Sequence, residues 1–392
     1  MSAGILCQKQ VAAMIEPDHD TIRLYNSANQ PFHKARVKES AIDLPLGEYY
    51  WEMKGSCRTG RRYKVQDLIH KYSLHPNSPK QLDQRSILLK CRQVYLFRAD
   101  CELDLTGRRI EGKATGRSSV GRLDVLVRLL VDESDTFDFV HKDKKHVLYV
   151  EVTPISFDLE VKRGTALSQL RLFKGREQDI SLTNEELSHE EDDTFPVLDE
   201  YKKPYRDPCE VRPDDIWFPF RLNLAADPAT GCCAFRARRG DARPPIDPDK
   251  KEHYDPHAYW EGIESNGESI ELEPDRLYIL RSKERLRIPE HLALECKSYT
   301  TEMGEWRIEY AGFAHPHFGS LRDDKRGSPI IFEVRGHNVR TILTHEIPLG
   351  NVRFLRMSQP APKPKEASYE KQELALSKCF KAWSTSPAVG DK

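Results

Sequence analysis

The sequence has no run approaching the roughly 20 apolar residues that a membrane-spanning helix requires. It has no excess of charge either. Its 61 Lys and Arg face 62 Asp and Glu, a net charge of -1, so bulk electrostatics points to neither nucleic acid nor an anionic membrane. A cysteine framework is missing: nine cysteines are scattered and only Cys232 and Cys233 are adjacent, which reads as reduced thiols in a cytoplasmic protein. The opening MSAGILCQKQVAAMIEPDHD has too short an apolar stretch for a secretory signal. Residues 107–114, GRRIEGKA, nearly match a phosphate-binding loop. However, Ala114 stands where a Ser or Thr hydroxyl would hold magnesium. The zinc-water signature, His-x-Glu with Pro-Cys-x-x-Cys, is also incomplete. Pro208-Cys209 has no second cysteine at that spacing, and His189-Glu190 and His345-Glu346 stand without one, so no zinc is expected.

What the chain does contain is one pattern twice. Residues 86–98 read SILLKCRQVYLFR, and residues 269–281 read SIELEPDRLYILR, an offset of 183. Residues 148–152, LYVEV, return at 330–334 as IIFEV, an offset of 182. Glu151 and Gln169 are 18 apart, as are Glu333 and Asn351. A near-constant offset over such a span argues for duplication. The copies differ where polar chemistry is concentrated: the first has GRSSVGR at 116–122, the second CKSYTTE at 296–302. One working site and one structural partner follow as the expectation.

At 392 residues, two or three domains are expected. Residues 5–15 form an amphipathic stretch suited to a short helix. Strand-like runs then dominate, at 94–97, 123–131, 147–152, 157–161 and 167–173, with Pro, Gly, Asp and Asn between them. Short strands and frequent turns predict a mainly β architecture. Residues 174–215 turn polar and acidic and read as a solvated linker, so the first domain is placed at 1–175 and the linker at 176–215. The second copy covers 216–358. Its insert at 227–259 reads as a surface excursion. Residues 359–364, QPAPKP, begin an extended spacer, and the rest of 359–392 is expected to include a helical tail.

Residues 116–124, GRSSVGRLD, place two hydroxyls between arginines with glycines on both sides. Arginine forks and hydroxyls suit an oxyanion, and glycine permits close backbone approach. Glu151 sits inside the alternating strand 148–152. On a pocket-facing side, burial would raise its pKa and suit it to general acid/base work. Residues 162–170, KRGTALSQL, then lead a turn into a strand carrying the Gln169 amide.

RSSVGRLDV, LYVEV and RGTALSQLRL, in that order, resemble the dCTP deaminase branch of the trimeric dUTPase fold. Residues 39–47, ESAIDLPLG, are similar to that family's early strand. The duplicated arrangement, with GEWR at 304–307 and YAGF at 310–313, resembles its long, two-repeat bacterial form. The resemblance implies two tandem distorted β-barrel or jelly-roll repeats with short helices. It implies active sites at subunit interfaces of a homotrimer. It also implies metal-free hydrolytic deamination of dCTP to dUTP and ammonia, with Mg2+ carried by the triphosphate. By position, Glu151 would activate water, Ser118 and Arg122 would position base and water, and Arg117, Ser119 and Gln169 would contact phosphate or base. Asp138, in TFDF at 136–139, matches the Asp that serves sugar binding and phosphorus chemistry in dUTPases. The following turn, KDKKH at 142–146, lacks the family's Pro and Gly, and in the second copy AHPHFG at 314–319 places His315 where Asp is usual. Two further activities stay open: a dUTP diphosphatase, alone or bifunctional with deamination and releasing dUMP, or a nucleotide-binding protein that has lost catalysis.

Overall fold

A computed structural model describes residues 2–15, 21–24, 36–206, 214–240, 243–297, 304–308, 312–364 and 372–384. The chain divides into two compact units. Cys209, residues 298–302 and Tyr310-Ala311 lie outside the described residues. No described helix is long and apolar enough to cross a membrane.

The first unit comprises residues 1–180, 245–248 and 355–364. Its elements are β1 (Gly4–Ile5), α1 (Gln8–Ala13), β2 (Ile22–Leu24), β3 (Ile42–Met53), α2 (Val65–Tyr72), β4 (Lys80–Gln81), β5 (Ile87–Leu89), β6 (Val94–Asp104), β7 (Ile110–Gly116), α3 (Ser118–Gly121), β8 (Val125–Leu130), β9 (Phe139–Val140), β10 (Lys145–Pro154), β11 (Leu159–Val161), β12 (Ala166–Lys174) and α4 (Glu177–Ile180). The main sheet runs β8-β10-β6-β3-β12-β7-β9 and is nearly closed and barrel-like. Along β6, buried and less buried residues alternate, as expected where one face covers a core. β12 is buried at all but its last position, and its apolar residues are interrupted by the buried polar side chains Ser168, Gln169 and Arg171.

β8 and β9 are the two ends of this order, and Asp138 stitches them. Its N–H donates to the Leu129 carbonyl at 2.9 Å, and its carboxylate accepts from the Leu129 N–H at 2.7 Å. Its own carbonyl accepts from the Ala114 N–H on β7 at 2.8 Å. The turn after β9 closes without Pro or Gly because Asp143 takes φ 59°, the left-handed region that Asp tolerates better than most residues. The His146 ring nitrogen meets the His141 carbonyl at 2.7 Å across the same turn.

The second unit comprises residues 181–244, 249–354 and 365–392. It carries α5 (Asn184–Ser188), β13 (Val197–Leu198), β14 (Phe218–Arg221), β15 (Cys232–Ala237), β16 (Trp260–Glu264), β17 (Ser269–Leu272), β18 (Leu277–Leu286), β19 (Leu292–Cys296), β20 (Trp306–Ile308), β21 (Phe313–Ala314), β22 (Ser328–Gly336), β23 (Thr341–Thr344) and β24 (Pro348–Arg356). Its sheets run β16-β15-β18-β22-β20 and β14-β24-β19-β21, with β17 paired to β23.

Corresponding strands of the two units pair in the same register. Glu151 lies opposite Leu96, and Glu333 opposite Ile279. The Tyr95 hydroxyl accepts from the Lys90 N–H at 2.9 Å, and the Tyr278 hydroxyl from the Glu273 N–H at 2.9 Å. Between each such pair sits a residue with positive φ, Arg92 at 62° and Asp275 at 58°. The same comparison corrects the alignment of the second turn. The Cys296 N–H donates to the Gly312 carbonyl at 2.9 Å, as Ala114 does to Asp138. Gly312, and not His315, therefore stands at the position of Asp138.

Three further readings are corrected. Residues 181–206 are no solvated linker. α5 is capped reciprocally by Thr183 and Glu186, β13 adds to β18, and Leu182, Leu187, Phe195 and Val197 enter the second unit's core. The acidic side chains cover the outside of that packing. Within the segment 227–259, residues 227–237 are no surface excursion, because β15 lies between β16 and β18, and Asp227 is buried in an ion pair with Arg281 at 2.9 Å. The described tail, 372–384, holds no helix. Its backbone bonds go to other segments instead: the Lys378 carbonyl accepts from the Glu252 N–H at 2.9 Å, and the Lys381 N–H donates to the Tyr254 carbonyl at 2.9 Å. Phe380 is buried beside Tyr254 and Tyr259.

Candidate active site

Glu151 lies on β10 between β6 and β8, opposite Leu96 on one side and Arg128 on the other. It is 4% exposed. Its Oε1 accepts from the Ser56 hydroxyl at 2.6 Å, and its carboxylate also accepts from the Cys57 N–H. Burial raises the Glu151 pKa above the ordinary carboxylate value. The Ser56 and Cys57 hydrogen bonds and the Arg128 charge oppose that rise, and the Asp138 charge adds to it. Burial, and then the neighbouring Glu151, pushes the Cys57 thiol up to about 11.

The loop that delivers Ser56 and Cys57 follows β3 and is pinned at Thr59. Its hydroxyl lies 2.9 Å from the Val131 carbonyl and 3.0 Å from the Ser134 carbonyl, and accepts from the Ser134 N–H at 3.1 Å. Residues paired across an antiparallel ladder share a face, so Arg128 stands beside Glu151. Its guanidinium reaches Asp138 Oδ2 at 3.0 Å. Burial raises the Asp138 carboxyl, and the Arg128 charge counters it. Glu151, Arg128 and Asp138 thus form one charged group, backed by Ser56 and Cys57.

The segment 116–124 folds as the single helical turn α3, with Arg117 at its N-cap and Arg122 at its C-cap. Ser118 is half-buried, and Ser119 and Arg122 are buried. The Arg117 N–H donates to the Leu167 carbonyl at 3.0 Å and its guanidinium to the Ala166 carbonyl at 3.0 Å, with Asp43 3.6 Å away. Gln169 is buried, lies opposite Asp43 on β3 and Thr115 on β7, and donates to the Thr115 hydroxyl at 3.4 Å. Arg117 and Gln169 therefore share one neighbourhood around Asp43 and Thr115. It is a polar wall with a guanidinium and an amide.

The hydrogen bonds and ion pairs described above fall into these two groups. Val125, four residues after the end of α3, pairs with Pro154, three residues from Glu151 on β10. That separation is about 10 Å of strand.

Motif reading missed four of these residues. Arg128 sits in VLVRLL and reads as the solvent-facing member of an alternating strand. Ser56 and Cys57 lie in a polar loop with no pattern. Asp43 was visible inside a motif but carried no assigned role. In the second unit, Glu333 is buried like Glu151, Gly312 replaces Asp138, and Pro219 lies opposite Asn351 where Asp43 lies opposite Gln169.

Residues 2–176 match the family model for the 2'-deoxycytidine 5'-triphosphate deaminase (DCD) N-terminal domain, and residues 210–380 match the model for its C-terminal domain. The chain is similar to the crystal structure of 2'-deoxycytidine 5'-triphosphate deaminase from Agrobacterium tumefaciens. The TM-score is 0.78 and the identity 26%, over 92% of this chain and 100% of that one. No curated protein matches.

Proposed function

We propose, because the chain belongs to the 2'-deoxycytidine 5'-triphosphate deaminase family, that it deaminates dCTP hydrolytically, giving dUTP and ammonia. The observation that carries this reading is Glu151, a buried carboxylate with a raised pKa, held by two hydrogen bonds and set beside one arginine. Glu151 takes a proton from water as the oxygen adds to C4 of cytosine. It then returns that proton to the amino nitrogen as the C4–N bond breaks and ammonia leaves. A buried carboxylate whose pKa is raised serves both transfers, and water supplies the oxygen of the new carbonyl while its second proton ends on N3.

Arg117, Ser119 and Gln169 contact phosphate or base, and Ser118 and Arg122 orient the base and the water. Magnesium enters with the triphosphate as part of the substrate. Ser118 and Arg122 act on the same carbon as Glu151, yet about 10 Å of strand lies between Glu151 and the residue that pairs with Val125. We place the α3 turn of one copy against Glu151 of another. The dUTPase-type barrel closes its sites around a threefold axis and two repeats cannot complete that ring, so three chains are the smallest closure, with the second unit a copy of the scaffold that has Gly312 in place of Asp138. Free cysteines at Cys7, Cys57, Cys91, Cys101, Cys232, Cys233, Cys296 and Cys379 support a reducing, cytoplasmic setting.

The retained Asp138 favours one second reading, in which the same site also cleaves dUTP to dUMP. Incubating the purified chain with dCTP and magnesium and resolving dUTP, dUMP and ammonia separates the two. Ammonia with dUTP is the expected result. Ammonia with dUMP assigns Asp138 to phosphorus chemistry, and no ammonia overturns the deaminase.

A further inference from the structure

Ser56 is exposed, whereas the carboxylate it touches is buried. Its hydroxyl donates to Glu151 Oε1 at 2.6 Å. The loop cannot drift easily, since Thr59 is bonded to the Val131 and Ser134 segment, and the Lys54 N–H donates to the Tyr72 carbonyl at 2.8 Å. Resting on the reading of Glu151 as the base, we propose that Ser56 is a positioning residue for deamination. It holds the Glu151 carboxylate by one oxygen and presents the other to the attacking water.

A Glu side chain has several rotatable bonds, and strand pairing fixes only its backbone, so a second anchor is needed to aim the carboxylate. Arg128 acts on Glu151 through its charge, and its hydrogen bond goes to Asp138, so the hydrogen-bonding anchors of the Glu151 carboxylate are Ser56 and Cys57. The Cys57 N–H holds the carboxylate from the same loop, so Ser56 and Cys57 act as a two-donor clamp. Donors to a carboxylate stabilise its charged form, and the clamp offsets part of the cost of burial. The charged and titratable groups around the carboxylate are Arg128 on β8, Asp138 before β9 and the Cys57 thiol on the loop. The Ser56 hydroxyl, like the Cys57 N–H, is a neutral donor to the carboxylate, and it keeps its own proton throughout the reaction.

The test is a carboxyl-carbon NMR titration of Glu151, assigned with Glu151→Gln, in the wild type, Ser56→Ala and Ser56→Thr, alongside the pH profile of dCTP deamination. Ser56→Ala is expected to move the Glu151 midpoint up by about one pH unit. It should also lower kcat at neutral pH about tenfold with KM within about twofold, and Thr should restore both. An unchanged midpoint, or a raised KM with kcat held, would overturn the assignment. The titration needs no turnover. A chain that releases no ammonia from dCTP therefore sinks the deaminase reading, while the midpoint still decides whether Ser56 clamps Glu151.

Discussion

Arg128 and Asp138 are joined by a 3.0 Å ion-paired hydrogen bond while Arg128 lies in register with Glu151, so one guanidinium serves two carboxylates with raised pKa values. Removing it leaves Asp138 largely buried and without that cation, next to a second carboxylate. Arg128→Met should push both carboxyls further up and move the acid limb of the deamination profile to higher pH. The rate at neutral pH should fall as well, since fewer molecules hold Glu151 ionised. The backbone bond from the Asp138 N–H to the Leu129 carbonyl and the bond from the Leu129 N–H to the Asp138 carboxyl remain, so the circular dichroism spectrum should be unchanged. A profile superimposable on the wild type would remove Arg128 from the site.

Glu151→Gln keeps the shape of the side chain and its place on β10 but cannot accept a proton. Deamination should fall by at least about a thousandfold, with dCTP affinity within a few fold, read by calorimetry and ammonia release. The sign of the wild-type pH dependence follows from burial. The base must be ionised and its pKa is raised above the ordinary 4.5, so activity is lost as pH falls through that raised value. The acid limb lies above the range of an exposed Glu. Glu333→Gln in the same assay should leave the rate within about twofold, because the second unit has Gly312 where the first has Asp138.

Much of this was legible in the chain. The strand runs around 94–97, 147–152 and 167–173 fall inside β6, β10 and β12, since alternation and β-branched residues mark them directly. Glu151 was visible because a carboxylate amid Val, Tyr and Leu is anomalous. Arg128 was not, since an arginine in an alternating strand is the commonest solvent-facing pattern, and its partners are fixed only by register. Ser56 was invisible for the opposite reason: its loop has no period, and its partner is 95 positions away. Residues 181–206 misled because Glu and Asp outnumber the few buried anchors that decide where the segment packs. The tail misled because helical propensity is a weak prior beside the partners that 252–254 offer.

That tail supports a stability prediction. The Glu373 carboxylate is bonded to Arg285 at 2.6 Å and lies 3.9 Å from Arg281 and 3.5 Å from Arg322. Arg281 and Arg322 are buried, so deleting the acid leaves positive charge with too little compensation in a region of low dielectric. Glu373→Ala should cost about 2 kcal/mol, lowering Tm by several degrees in a thermal melt. Glu373→Gln should recover little, since it restores hydrogen bonds without the charge. A melt unchanged by Glu373→Ala would mean the arginines are neutralised by Asp227 and Asp324 alone.

The placement of the α3 turn against a neighbour's Glu151 can be read by complementation. Ser118→Ala and Glu151→Gln each disable a different side of the proposed site, and Ser118 is only half-buried, so neither change threatens the fold. In a site built within one chain, every site in a mixture carries one lesion, and co-expression yields no more activity than the two variants separately. In a site built between chains, a Glu151→Gln chain offers an intact α3 turn and a Ser118→Ala chain offers an intact Glu151. With random assembly of equal amounts, about a quarter of the interfaces then unite the two intact halves. Co-expressed variants should therefore recover about a quarter of the wild-type rate of ammonia release, and light scattering should give a mass of about three chains. Activity no higher than the separate variants, or a monomer at working concentration, would place Ser118 and Glu151 in one chain's site and remove the reason for the trimer.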